Sequence, residues 1–116
     1  MAAPIVFFDI AGPDGDTQRR FYTEIFGWEV DAEGRFSVDV QASPMNALLR
    51  TDPANVMVYL GVEDVAATLD KVVEFGGAVQ APRFEVPGLV VLGLFTDPAG
   101  NHIGLVEMKD GEQVIP

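Results

Sequence analysis

The strongest constraint on this chain is a structural grammar that runs twice: strand, helix and three short strands, then the same order again. Residues 5–10, Ile-Val-Phe-Phe-Asp-Ile, form a β-branched and aromatic run that stops at Gly12-Pro13 and reads as a strand. Asp14 or Asp16 then offers a carboxylate to the orphan amides of a helix start. Phe21, Tyr22, Ile25 and Phe26 recur at helical spacing as one apolar stripe, and Gly27 suits the left-handed stop. Strand-like runs follow at 28–30, 36–40 and 46–50. After the turn-rich joint Thr51-Asp52-Pro53-Ala54-Asn55 the pattern restarts with a strand at 56–62. Asp64 is placed to cap a second helix, with Val65, Leu69, Val72, Val73 and Gly76 on one face and Gly76-Gly77 as its stop. Runs at 79–84, 89–96 and 102–107 complete the second half.

This order predicts an α+β fold of two tandem βαβββ repeats, one over about 4–50 and the other over about 56–108. A lone repeat leaves one apolar face of its sheet in water. Two repeats side by side curl their sheets into a shared cup, with the helices packed outside. Strand side chains alternate between faces. Val56, Val58, Leu60 and Val62 make an aliphatic face for a helix, and Met57, Tyr59 and Gly61 make the opposite face. In the last strand Ile103 and Leu105 point to the core, which leaves His102, Gly104 and Val106 on the cup side. In the first, Phe7 and Asp9 share the face opposite Val6, Phe8 and Ile10. The polar tail, 109–116, is expected to fray.

At 116 residues the chain suits one domain, 1–116. Eighteen acidic residues against seven basic ones give a net charge of −11, a field that repels nucleic-acid backbones and anionic membranes. That acidity serves solubility or forms an acidic groove for a cation. Cysteine is absent, which removes disulfides and thiolate sites together. No apolar run approaches the roughly 18 residues of a membrane span. The start, Met1-Ala2-Ala3-Pro4, lacks the marks of a secretion signal, so a cytoplasmic protein is expected.

Three stretches carry a resemblance. Phe8-Asp9-Ile10-Ala11-Gly12-Pro13-Asp14, running into Phe21-Tyr22-Thr23-Glu24-Ile25-Phe26-Gly27-Trp28, is the first. Val62-Glu63-Asp64-Val65 leading to Phe75-Gly76-Gly77-Ala78-Val79 is the second, and Asp97-Pro98-Ala99-Gly100-Asn101 before Ile103-Gly104-Leu105-Val106-Glu107 is the third. In series they resemble the glyoxalase/bleomycin-resistance/extradiol dioxygenase (vicinal oxygen chelate) superfamily. The resemblance implies metal-ligand positions on four strands. Here they match Phe7, Met57 and Gly104, with the fourth at or beside Ala47 and Leu48. None of these side chains coordinates a hard or borderline cation, so no metal and no other cofactor is expected. The lyase, isomerase and dioxygenase chemistries of metal-bearing members lose their support.

The expected function is therefore a non-catalytic small-molecule binder, as in the antibiotic-sequestering branch, suited to a cationic or polar aromatic compound. Its expected ligand-binding residues are Phe7, Asp9, Met57, Tyr59 and His102. Asp9 bonds a ligand or pairs with Arg50 or Arg83. Tyr59 donates to a ligand or packs in the core. His102, the single histidine, orients a ligand or sits solvated at the rim. The alternative is a metal-free lyase- or isomerase-like enzyme using Asp9 and His102 as acid and base; a third possibility is a regulatory module with a vestigial cup. Trp28 is expected to pack between helix and sheet. Glu85 edges the cup or is solvated. Relatives commonly build cups across two chains, so a homodimer is expected as well.

Overall fold

In the computed structural model, which describes residues 2–51 and 53–116, two capped helices frame the core. Helix α1 (Gly15–Phe26) starts where the Asp14 carboxylate accepts from the Thr17 amide at 3.1 Å, and it ends at Gly27 with φ 70°. That amide bond holds the Asp14 carboxyl below the usual range. Strand β1 (Tyr59–Val62) precedes helix α2 (Val65–Glu74), which Asp64 caps through the Ala67 amide at 2.9 Å. Strands β2 (Ala78–Val86), β3 (Val90–Thr96), β4 (His102–Lys109) and β5 (Glu112–Gln113) follow. Met1 and Asp52 lie outside the described residues, and with them part of the amino-terminal and joint readings.

The sheet runs β1-β4-β3-β2, with β5 pairing β4. β1 lies parallel to β4, with Tyr59 opposite Gly104 and Val62 opposite Glu107, while β2, β3 and β4 are antiparallel neighbours. Such a parallel pair requires a crossover, and here α2, β2 and β3 supply it. Phe21 and Tyr22 from α1, Val65, Leu69 and Val72 from α2, Phe95 from β3 and Ile103 and Leu105 from β4 form the buried cluster. Gly93 lets α2 approach, because a Cβ there would lie 2.6 Å from Val65 Cγ1. Any side chain at this position pushes the helix off the sheet.

Several expectations change. All the described ladders lie in the second half. Residues 5–10, 28–30, 36–40 and 46–50 belong to none of them, although α1 stands where the first helix was expected. A strand needs a hydrogen-bonding neighbour, and these segments expose apolar side chains instead: Phe7 is 80% and Leu49 99% exposed. Val56 is also exposed and precedes β1, so the aliphatic face contracts to Leu60 and Val62, which pack against the core. Val73 is exposed because it falls one position beyond the 65-69-72 stripe. The tail does not fray. Asp110 (φ 53°) and Gly111 (φ 78°) turn it back into β5, and the Val114 amide donates to the Glu107 carbonyl at 3.0 Å. Asp-Gly is a hairpin signal because both turn residues need positive φ.

One buried carboxylate ties α1 to the second half. Asp97, in the turn between β3 and β4, is 3% exposed. Its oxygens accept from Tyr22 Oη at 2.8 Å, Gln18 Nε2 at 2.9 Å, Asn101 Nδ2 at 2.9 Å and the Ala99 and Asn101 amides at 3.0 and 2.9 Å. Asn101 Nδ2 also donates to the Ala11 carbonyl at 2.8 Å. Burial pushes the Asp97 pKa up, but hydrogen bonds from Gln18, Asn101 and Tyr22 outweigh it and hold the carboxyl below its usual range. Burial, with the bond to Asp97 and its charge, drives the Tyr22 phenol up. A depressed folded-state pKa means that the stabilisation is present above the unfolded value of about 3.9 and is lost as pH falls through the folded value. We expect Asp97→Asn, which points a donor at donors, to cost about 1.5–3 kcal/mol at neutral pH, and Tyr22→Phe about 1 kcal/mol. Urea titrations across the acid range should show a shallower acid limb for Asp97→Asn; an unchanged limb would remove Asp97 as its source.

Candidate functional site

The two faces of the sheet have different fates. Leu60, Val62, Ile103, Leu105, Val91 and Phe95 occupy the helix side, buried or packed against the core. Alternation therefore turns Tyr59, His102 and Gly104 to the open side. Tyr59 lies across the parallel ladder from Gly104, and a Cβ at Gly104 would collide with the Tyr59 ring. The ring therefore lies flat on the strand where a larger residue would stand. At the end of the same strand the exposed His102 places Nδ1 2.8 Å from Gln80 Oε1. With the carboxamide oxygen facing it, Nδ1 is the donor and Nε2 remains an acceptor.

Of the other expected site residues, Met57 sits half-buried just before β1. Phe7 and Asp9 lie exposed on the amino-terminal segment outside the ladders, while their neighbours Phe8 and Ile10 turn inward. Phe8 meets Trp28 and Phe36 edge-on at 6.4 and 6.1 Å. Arg83 is occupied by Glu107 at 2.7 Å and Glu85 at 3.7 Å, and Arg50 Nη2 donates to Asn55 Oδ1 at 2.7 Å. Neither ion-pair reading for Asp9 gains a printed partner among the described residues. The structure thus gathers Tyr59 and His102 on one face with Met57 near the start of β1, and leaves Phe7 and Asp9 on a separate segment.

Two open cavities lie elsewhere. One, of about 370 Å³, is bounded by Phe26 of α1, the stretch from Gly61 to Asp64, and Thr68 and Lys71 of α2. The other, of about 230 Å³, lies between the first turns of α1 and the segment carrying Trp28 and Phe36. Neither is lined by the five expected site residues. Trp28 lies between Tyr22 at 5.2 Å and Phe36 at 4.8 Å, their planes within 9° and 19° of its own.

The donor set does not fit a metal. Phe7, Met57 and Gly104 offer no ligating group, and among the described residues no cluster of three or more His, Cys, Asp or Glu side chains is arranged to hold one. Sequence reasoning missed Gln80 as the partner of His102, because a β-bulge between Val79 and Ala81 breaks the alternation there. It read Asp97-Pro98-Ala99-Gly100-Asn101 as a turn and missed the buried carboxylate within it. An Asp and an Asn bracketing a Pro-Ala-Gly turn were the available signal.

A helix-backed open sheet, with its first strand parallel to its last and adjacent to it, defines a domain of the glyoxalase type. The chain is similar to the solved glyoxalase-related enzyme from Fulvimarina pelagi, with a TM-score of 0.62 at 21% identity over 85% of this chain and 84% of that one. It is also similar to a glyoxalase/bleomycin resistance protein/dioxygenase family enzyme from Burkholderia phytofirmans PsJN, with a TM-score of 0.60 at 13% identity over 83% and 91%. At those identities the likeness carries the fold. The Glyoxalase-like domain family matches residues 5–106, and this chain belongs to that family. A curated relative, "Putative glyoxylase CFP32" of Mycobacterium bovis, is 30% identical over 111 residues, 84% of this chain; the chain spans 42% of that relative's length. Among the described residues no helix is long and apolar enough to cross a membrane.

The seat of Tyr59 on Gly104 is directly testable. Gly104→Ala should cost about 1–3 kcal/mol in urea unfolding, as overpacking does. In a Tyr59→Ala background the same change should cost much less. Equal costs in both backgrounds would mean that the ring does not depend on the missing Cβ.

Proposed function

We propose that this domain is a non-catalytic small-molecule binder of the glyoxalase/bleomycin-resistance type, taking a cationic or polar aromatic compound. The observation that carries the reading is the open sheet face. It presents Tyr59 and His102 beside a position, Gly104, where the metal-bearing pattern wants a ligating side chain. An aromatic ring and an imidazole provide contact and orientation without a cation, which is the make-up of a binding pocket. In this reading the tandem βαβββ arrangement forms when the segments at 5–10, 28–30, 36–40 and 46–50 gain hydrogen-bonding neighbours, and a homodimer provides them. The exposed Ile5, Phe7, Leu48 and Leu49 support that pairing, because bare apolar edge segments seek partners. It carries Phe7 and Asp9 to the cup that Met57, Tyr59 and His102 line, and the carboxylate receives the ligand's positive charge.

The alternative, a metal-free lyase- or isomerase-like enzyme, draws on the His102–Gln80 bond, which leaves Nε2 as a free acceptor in the manner of a general base. A binder returns its ligand unchanged; an enzyme of this kind converts it.

A melting scan with cationic aromatic compounds tests the reading, since a ligand at 100-fold its dissociation constant adds about 2.7 kcal/mol of stability. For a compound that raises Tm, Asp9→Asn should weaken binding by about 1–3 kcal/mol and Tyr59→Phe by less, with folding intact in both. An Asp9→Asn variant that lowers Tm at unchanged affinity would make Asp9 structural. Protein purified without chelator should carry well under one equivalent of Zn, Ni, Fe or Mn by elemental analysis. A stoichiometric metal abolished by His102→Ala would overturn the metal-free part of the proposal.

A further inference from the structure

We propose a second ligand site, separate from the cup, in the cavity of about 230 Å³ between α1 and the Trp28–Phe36 segment; it takes a flat aromatic molecule with an N–H or O–H donor. Two independent features of the cavity define this ligand. One is the wall. Tyr22, Trp28 and Phe36 line it together as a stack of three near-parallel rings, and both Trp28 and Phe36 remain only half-buried. A planar π-system packs against such a stack edge-to-face or as a further layer. The volume suits one or two fused rings, below the 300–1,000 Å³ typical of drug-sized ligands.

The other feature is Gln18, which also lines the cavity. Its Nε2 is committed to the Asp97 carboxylate at 2.9 Å, and a carboxylate accepts only, so the amide cannot be turned over without setting oxygen against oxygen. Its Oε1 is therefore fixed as an acceptor, and it is buried with no hydrogen-bond partner. Buried polar atoms are almost always paired, and an orphan calls for a donor. A ring that carries an N–H or O–H satisfies it while its face meets the aromatic wall. Access is open at Gly15 and Gly34, where a Cβ would meet nothing within 4 Å.

Benzimidazole and 1-methylbenzimidazole are suitable probes. They share shape and are uncharged near pH 8, and only the first carries an N–H. Trp28 is the single tryptophan, so its emission, excited where the probes do not absorb, reports the site alone. Benzimidazole should change that emission saturably, and 1-methylbenzimidazole should bind about tenfold more weakly, the factor a lost hydrogen bond of about 1.4 kcal/mol gives. Gly15→Leu, which fills the open space without touching the Asp97 network, should abolish saturation at unchanged Tm. Gln18→Met should level the two probes. If Gln18→Met fails to fold, the probe pair and Gly15→Leu still decide. Absence of saturation at millimolar probe, equal affinity for both probes in the unaltered chain, or undiminished binding by a folded Gly15→Leu variant would each overturn the proposal.

Discussion

Asp97 is the constraint on which the rest of the molecule leans. A carboxylate at 3% exposure is costly unless it is fully hydrogen-bonded, and the donors that satisfy it come from both α1 and its own turn. Through Gln18 and Tyr22 it sets the rotation of α1 about its axis, and so determines which residues face the core. Phe21 then lies beside Phe95 at 5.9 Å, and Tyr22 becomes the inner leaf of the stack with Trp28 and Phe36. Polar networks of this kind specify a unique arrangement, because a half-satisfied version is worse than none.

That docking divides the sheet by function. Its helix side is packed so closely that Gly93 and Gly77 are needed for the approach of neighbouring groups: a Cβ at Gly77 would lie 2.6 Å from the Thr96 carbonyl and 2.8 Å from Val72 Cγ1. No chemistry can be placed there without breaking the core. The open side keeps Tyr59 and His102 with little above them, and evolution of a ligand site in such a domain is confined to that face and to the crevices around α1. Gly104 shows how the division works at one residue, since the space that a ligating side chain would take is filled by the Tyr59 ring.

Much of this was legible along the chain. Both helices, their caps at Asp14 and Asp64, and the strands over 78–86, 90–96 and 102–109 follow from local rules: short carboxylates before apolar stripes, and β-branched runs between Gly and Pro turns. The β5 hairpin was signalled by Asp110-Gly111, and a polar composition hid it. The ladders of the second half and the unladdered first half differ for a reason that local pattern does not carry. Residues 36–40 and 46–50 look like strands, yet a strand exists only where another backbone receives its hydrogen bonds. The same holds for the site. Strand parity placed Tyr59 and His102 together, but the partnership of His102 with Gln80 depends on a bulge, and the engagement of Arg83 by Glu107 on strand order.

By itself, then, the sequence determined the βαβββ order, the helix limits, the composition of the core and the absence of ligating side chains at Phe7, Met57 and Gly104. Those properties reside in single residues or in periodicities of a few positions. Tertiary structure alone decided that Asp97 is buried and shared by five donors, that Tyr59 occupies the space above Gly104, and that Gln18 presents an orphan acceptor beside an aromatic wall. Each of those depends on groups far apart in the chain: Tyr22 and Asp97 are 75 positions apart, and their separation in space is set by packing rather than by sequence.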